Sequence, residues 1–401
     1  MTLFHLILKS LRQHALSTCV TALSIALASG LLIAVWVVKE QSRATFAGVT
    51  GGFDAVLGAR SSPLQLVLNS VYHLEASPGN LAWSDYEAIK KDPRVAQAVP
   101  IAVGDNYLGY RLVGTLTNLL TDGEYAPGRK FRVAPPGRVF EPQLREAVVG
   151  SFAAQRLGLK YGDKFQPYHG LIFDENSQHV ETYVVVGVLE PSNTPADRVI
   201  WIPLEGIQKM AGHDPKAATD VSAVLVKLRS PLGGKQLEML YNKQGNRLTF
   251  AWPIGLIIAQ LFDKIAWFDR VLALVAWLVA LVAIGSILAS IYNSMNERRR
   301  EIAILRALGA RRRTVFGAIV LEAAAIAALG VMAGFAVYLA ILSGAAAIIR
   351  AQTGVVLNPL AWNDVMAWAP MGMIALGALA GVVPAVKAYR TPVAENLTPT
   401  S

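Results

Sequence analysis

Four stretches of this 401-residue chain are apolar for long enough to cross a bilayer. They lie at 16–38, 271–291, 315–342 and 365–386, each close to or beyond the ~20 residues a helix needs to span hydrocarbon. Between the first two lies a different kind of sequence, 41–253, where charges, prolines and glycines return and no run could span a membrane. At 53% hydrophobic and 16% charged, the chain is too apolar for an ordinary soluble protein and too polar for a wholly embedded one. The fold class expected is therefore membrane α plus external α/β. Four transmembrane helices would carry a large periplasmic or extracellular domain between helices 1 and 2.

Orientation follows from 292–316, YNSMNERRREIAILRALGARRRTVF. Seven arginines stand there against Glu297 and Glu301, between two apolar runs. Clustered arginine beside a span marks the cytoplasmic side, and Lys387 and Arg390 after the last span agree. Much of the net charge of +9 comes from this loop and the membrane-proximal ends, so it argues for topology and against nucleic-acid binding. Ile302, Leu305 and Leu308 recur at helical intervals, and Gly309 offers a left-handed stop. A short amphipathic helix at the membrane surface suits a soluble partner. The plainer reading is that the arginines only anchor the flanking helices.

The remaining segments fall in order. Residues 1–15 form a cytoplasmic amphipathic helix, with Leu3, Phe4, Ile7, Leu8 and Leu11 on one face. Residues 16–40 are transmembrane helix 1. A cleaved signal peptide is its rival, but the apolar run continues well past Ala26-Leu27-Ala28. Small residues along this span allow close helix packing. Within the external domain, 146–150 reads as a strand, 151–157 as a helix, 160–163 as a turn, 181–189 and 198–203 as strands, and 204–210 as a helix. Residues 53–122 give no clear assignment. Residues 254–294 are a stalk continuing into transmembrane helix 2, the alternative being a helix lying flat with Trp267 and Phe268 among the headgroups. The cytoplasmic loop is 295–314, transmembrane helix 3 is 315–342, a short external loop is 343–364, transmembrane helix 4 is 365–387 and the cytoplasmic tail is 388–401. Glu322 is an intramembrane charge that needs a partner or a polar seam, either a loop arginine or a mechanical contact.

Candidate chemistry is sparse. The single cysteine, Cys19, lies in an apolar run, so no intrachain disulfide supports the external domain. His73, His169, His179 and His213 are weak candidates for a metal, because none shows a ligand spacing such as H-x-x-x-H. No Ser-His-Asp order, G-x-S-x-G or paired-carboxylate motif stands out, and no catalytic residue is assigned.

The pattern E-R-x-x-E-I-x-I-L-R-A-L-G-A, carried by Glu297, Arg298, Glu301, Ile302, Ile304, Leu305, Arg306, Ala307, Leu308, Gly309 and Ala310, resembles the cytoplasmic loop of the FtsX/MacB/LolC permeases. The end of the fourth span, Pro384-Ala385 to Pro392-Val393, resembles the same family with one residue missing between Ala388 and Pro392. The order of strands and helices over 146–210 resembles the MacB external domain. The resemblance implies an ABC transporter permease of type VII, non-catalytic itself, in a bacterial inner membrane with several passes. It further implies that Glu297–Ala310 couples to a cytosolic ABC ATPase and that the chain pairs with a second permease copy or paralogue. No G-x-x-x-x-G-K-[ST] occurs, so ATP and Mg are expected on a separate ATPase chain and no cofactor on this one. Export or extraction of lipoprotein or lipid ranks first as function. Regulation of an external partner such as a cell-wall hydrolase, as by FtsX, ranks second, and a metal-handling ABC system third. Membrane lipids and a periplasmic protein complete the expected partners.

Overall fold

The computed structural model describes residues 3–213, 218–297 and 309–390, with 304, 306 and 307 in the intervening loop. Its contacts divide into two units. The first comprises Met1–Gln41, Ile265–Ala346 and Asn358–Ser401, and the second Ser42–Lys264 and Ala347–Leu357.

The chain opens with α1 (Leu3–Gln13), breaks at His14 and continues as α2 (Ala15–Gly48). Gly51 and Gly52, at φ 65° and 85°, then turn it into the α/β unit. Strand β1 (Ala55–Ala59) is followed by α3 (Pro63–Ser70) and α4 (Trp83–Lys90). Next come β2 (Val95–Tyr107), β3 (Tyr110–Thr115), α5 (Asn118–Thr121), β4 (Glu124–Ala126) and β5 (Arg129–Lys130). The legible middle supplies β6 (Glu146–Val149), α6 (Ser151–Leu157), β7 (Lys164–Phe165), β8 (Tyr168–His169), β9 (Tyr183–Val188), β10 (Ile200–Pro203) and α7 (Leu204–Gln208). Then β11 (Ala223–Leu228), α8 (Pro231–Met239) and β12 (Leu248–Ala251) close the unit. Three long helices follow: α9 (Ile254–Glu297), α10 (Arg312–Thr353) and α11 (Val365–Arg390).

Ten strands form one mixed sheet in the order β12-β1-β11-β2-β3-β10-β6-β9-β7, with β8 pairing β2. Alternation within the strands explains why it is buried on both sides. Ala55, Leu57, Leu112, Ala147 and Val149 point into one core, while Val56, Val113 and Val148 point into the other. The first core is covered by α4, α6, α7 and α8, through residues such as Tyr86, Ala153, Ile207 and Leu237. The second is covered by α3, α5 and the start of α9, through Leu66, Leu119 and Ile254. Apolar strands such as Glu146–Val149 and Ile200–Pro203 read as nearly continuous runs for this reason.

Residues 53–122, unassigned from sequence, prove to be the spine of this sheet. Pro100 stands in the middle of β2, where a proline argues against a central strand. It is seated there between β11 and β3, and the Thr115 hydroxyl donates to its carbonyl at 3.0 Å. The hairpin after β2 turns through Leu108 and Gly109, both at positive φ (48° and 84°), so a leucine occupies a place usually kept for asparagine or glycine.

The third apolar stretch also departs from expectation. Its helix does not stop at Leu342 but runs to Thr353, into the segment taken as an external loop over 343–364. No proline interrupts 343–353, its one glycine, Gly344, is carried within the helix, and Gly354 ends the helix at φ 76°. The extra turns belong to the α/β unit. Arg198 donates to the Gln352 carbonyl, and Arg350 stacks 5.6 Å from the Phe152 ring.

In the helical unit, α2, α9, α10 and α11 each contain a segment long and apolar enough to cross a membrane. Their core includes Ile25, Ala283, Ile319, Ala323, Ala327 and Ala380, while Leu16, Trp277, Met332 and Met371 are exposed, the reverse of a water-soluble bundle. Small residues let α2 and α10 meet at backbone distance. A Cβ on Gly330 would stand 2.6 Å from the Ile25 Cβ and 2.8 Å from the Ala22 carbonyl oxygen. One on Gly30 would stand 2.7 Å from the Gly334 carbonyl oxygen. Gly344, on the same helix α10, has nothing within 4 Å of that position. Gly330→Ala is expected to destabilise the detergent-solubilised chain by about 1–3 kcal/mol. Gly344→Ala should be neutral or slightly stabilising in the same thermal unfolding assay, and equal effects would contradict the packing assignment.

His73 sits at φ 56°, edge-on to Trp201 with ring centroids 5.7 Å apart. Burial, with the positive charges of Arg111 and Arg198 adding, lowers its pKa from 6.5 to about 3. An unfolded chain takes up this proton below pH 6.5 while the folded chain refuses it until about pH 3. Stability is therefore complete above that window and lost as pH falls through it, by up to about 1.4 kcal/mol per pH unit. His73→Asn, which tolerates the left-handed backbone, should remove that slope from unfolding curves between about pH 6 and 4. Parallel slopes for the two chains would contradict it.

Candidate functional site

Two regions bear on function. The first is the arginine-rich loop. Glu297 closes α9, and Arg298, Glu301, Ile302, Leu305 and Leu308 lie outside the described residues. Arg306 is helical and half-buried. The Gly309 N–H donates to the Arg306 carbonyl at 3.1 Å, and Gly309 has φ 98°, the left-handed stop expected of it. Ala310 is half-buried, and α10 begins two residues later, with Arg312 stacked 5.5 Å from the Tyr389 ring. Glu322 accepts a hydrogen bond from the Ser10 hydroxyl, so α1 supplies a partner for this carboxylate.

The second region is in the α/β unit. Asp105, His169, His179 and His213 each offer a ligand atom, and these atoms all lie within 4.8 Å of one another. Three nitrogens converge on one carboxylate oxygen, Asp105 Oδ1. His179 Nε2 and His213 Nε2 are each 3.1 Å from it, and His169 Nδ1 is 3.4 Å away. The imidazoles meet edge to face, with centroids 5.0–5.5 Å apart. His73, the fourth candidate from sequence, is not among them. It packs on Trp201, in the core on the far side of the sheet from Ile207.

Local structure explains each placement. The β2–β3 register shifts between Val103 and Asn106, giving β2 one extra residue at Gly104-Asp105. Such a bulge re-aims a side chain out of the regular alternation. Beyond it β2 pairs with β8, and Asp105 is directly opposite His169. His179 comes back beside His169 because its N–H bonds the Pro167 carbonyl at 2.8 Å and Gln178 bridges Tyr168. His213 follows α7, and its Nδ1 bonds the Ile207 carbonyl at 2.8 Å.

A further ring of contacts fixes the three loops. Buried Asn106 donates to the Gly170 carbonyl at 3.0 Å, steadying the segment with His169. Glu181, also buried, accepts from the Ala211 N–H at 3.0 Å, holding the approach to His213. Asp105 is wholly enclosed, His179 nearly so, and the His169 side chain is 55% exposed, so the cluster opens to solvent on the His169 side. A cleft of about 330 Å³ lies there, lined in part by His169, His213, Gly104 and Asp220. The Asp105 hydrogen bond, with the negative charge behind it, raises the pKa of His213 against the opposing effect of burial. Asp105 Oδ2 and Glu181 Oε2 are buried with no hydrogen-bond partner among the described residues. Nothing in the sequence pointed to Asp105. A Gly-Asp inside a long β pattern was the available signal, as a bulge marker.

Against known proteins, residues 17–238 match the model of the MacB-like periplasmic core domain, and residues 273–393 that of the FtsX-like permease C-terminal region. Two curated relatives from Mycobacterium tuberculosis, strains CDC 1551 / Oshkosh and ATCC 25618 / H37Rv, are each described as an uncharacterized ABC transporter permease. Each is 24% identical over 152 residues, covering 37% of this chain and 39% of the relative, so the alignment spans about two-fifths of their length. Among solved structures, the periplasmic region of MacB from Actinobacillus actinomycetemcomitans superposes with a TM-score of 0.36 at 12% identity, over 54% of this chain and 94% of that one. The extracellular domain of the noncanonic ABC-type transporter YknZ from Gram-positive bacteria gives 0.31 at 18% identity, over 49% and 99%. With the periplasmic-core match alone covering more than half of its residues and the permease match running from within α9 through α11, the chain belongs to the MacB/FtsX-like ABC transporter permeases.

Proposed function

We propose that this chain is the membrane subunit of an ABC system in which a separate cytosolic ATPase docks on 295–314 and drives conformational change of the periplasmic domain. The observation that carries the reading is the placement of the loop motif. Glu297 to Ala310 falls inside the FtsX-like match, between two helices that are long and apolar enough to cross a membrane. Three helices, α2, α9 and α10, have residues in both units, which gives covalent routes for motion from one to the other. Two permease subunits and two ATPases would make the working assembly in a bacterial inner membrane, with ATP and Mg held by the ATPases. Four spans per subunit, packed through small residues, favour handling of a substrate on the external side, such as export or lipoprotein or lipid extraction, over conduction through the bilayer. Regulation of an external enzyme uses the same loop, and the two are told apart by whether purified assemblies in vesicles move any cargo.

The test is a double substitution, Arg306→Asp with Leu308→Asp. The variant should insert at wild-type level, while ATP-dependent activity of the assembly falls at least about tenfold, the effect of losing ~1.4 kcal/mol or more of coupling. Undiminished ATP-driven function would overturn the docking assignment.

A further inference from the structure

We propose that Asp105, His169, His179 and His213 form a binding site for a divalent transition cation of the Zn²⁺ class on the periplasmic domain. The geometry is the first ground. In a tetrahedral site with metal–ligand bonds of about 2.0–2.1 Å, neighbouring ligand atoms stand about 3.3 Å apart. The three nitrogens stand 3.1, 3.1 and 3.4 Å from Asp105 Oδ1, the spacing of one corner of such a tetrahedron.

Tautomers supply the second ground. The Ile207 carbonyl accepts at 2.8 Å from His213 Nδ1, which must therefore carry a proton. Nε2 can then donate to the carboxylate oxygen 3.1 Å away only if the ring takes up a second proton, and in the neutral imidazole a ligand needs to be, Nε2 presents a lone pair to that oxygen. Two lone pairs facing each other repel, whereas a cation between them is attracted by both. A ring nitrogen bound to a backbone carbonyl is also the usual support for a metal-ligating histidine.

The third ground is the enclosed carboxylate itself. Asp105 has no exposed surface, and its Oδ2 lacks any partner among the described residues. An enclosed carboxylate is costly unless paired or coordinated.

Three nitrogens and one oxygen select the cation. Mg²⁺ and Ca²⁺ require oxygen donors, whereas imidazole suits Zn²⁺ and its neighbours. Four protein ligands leave no open position for an activated water, so the site binds and does not hydrolyse. The exposed His169 edge and the adjoining cleft give the ion its entry from outside. Once bound, the ion would tie together the β2 bulge, the 167–179 segment and the loop after α7. None of this depends on the permease reading, and a chain with no ATPase partner would bind the ion equally well.

The experiment uses the full chain, purified in detergent without a polyhistidine tag and stripped with EDTA. Zn²⁺ titrated by calorimetry, with elemental analysis after dialysis, should give one ion per chain, and Mg²⁺ and Ca²⁺ none. His179→Gln, His213→Gln and Asp105→Asn should each weaken Zn²⁺ binding by more than the roughly 10–100-fold that loss of an outer partner costs. His73→Asn should bind as the wild type does. Two readouts on the wild-type chain guard against misfolded variants. Co²⁺ should give the visible absorption of a tetrahedral ion, and Zn²⁺ should slow hydrogen exchange over 167–179 and 205–213. Sub-stoichiometric zinc, unweakened binding by the ligand variants, or an octahedral Co²⁺ spectrum would overturn the site.

Discussion

Hydrocarbon offers no partner for a backbone N–H or C=O, and this constraint sorts the whole molecule. Where the chain can enter a membrane it is continuous helix, its backbone bonded along its own axis except where Pro370 and Pro384 of α11 supply no N–H. Where it carries strands, turns and hairpins, the sequence turns polar, and the pairs are made across a ten-stranded sheet. The helical unit compensates for having no hydrophobic drive among its own helices by close packing, and Gly30, Gly330 and Gly334 are small because a neighbouring backbone occupies the space of a side chain. Helices α2 and α9 belong to both regimes, apolar in one unit and amphipathic in the other.

The same sheet that makes the periplasmic domain stable also places its histidine cluster. Past a single extra residue, β2 keeps β3 as a partner and also pairs β8, which sets Asp105 opposite His169. The ligands come from a bulge, a strap and a helix exit separated by up to 108 residues in sequence, and are brought together by register and by four hydrogen bonds to backbone groups. Asp105 and His73 show how differently one sheet can treat buried titratable groups. Asp105 is enclosed among three imidazoles, whereas His73 is enclosed against Trp201 and two arginines, which keep it neutral over the physiological range.

Membrane helices were legible because period and length are local properties, and so were β6, α6, β9, β10 and α7, whose apolar runs end at recognisable turns. The first half of the external domain was not, because Pro100 and Leu108 sit in positions that tertiary pairing tolerates and local preference disfavours. The end of α10 was misplaced for a related reason. The apolar count reaches the length of a span by Leu342, yet 343–353 holds no proline and only one glycine, and contacts of Arg350 and Gln352 in the α/β unit account for the rest. All three histidines of the cluster were among the four named from sequence, but the metal-site rules that depend on short spacings had no purchase on ligands joined by strand register. Most of the loop motif was legible only through its resemblance to a family.

The account stands on which side of the membrane each part occupies. Substituted-cysteine labelling in a Cys19→Ser background reads this directly, with Arg311→Cys in the exposed loop and Lys130→Cys on the exposed edge of the α/β unit. In intact spheroplasts an impermeant maleimide should label the cysteine at 130 and spare the one at 311 until the membrane is opened. Labelling of position 311 from outside, or of both positions together in sealed cells, would contradict a cytosolic loop that drives an external domain.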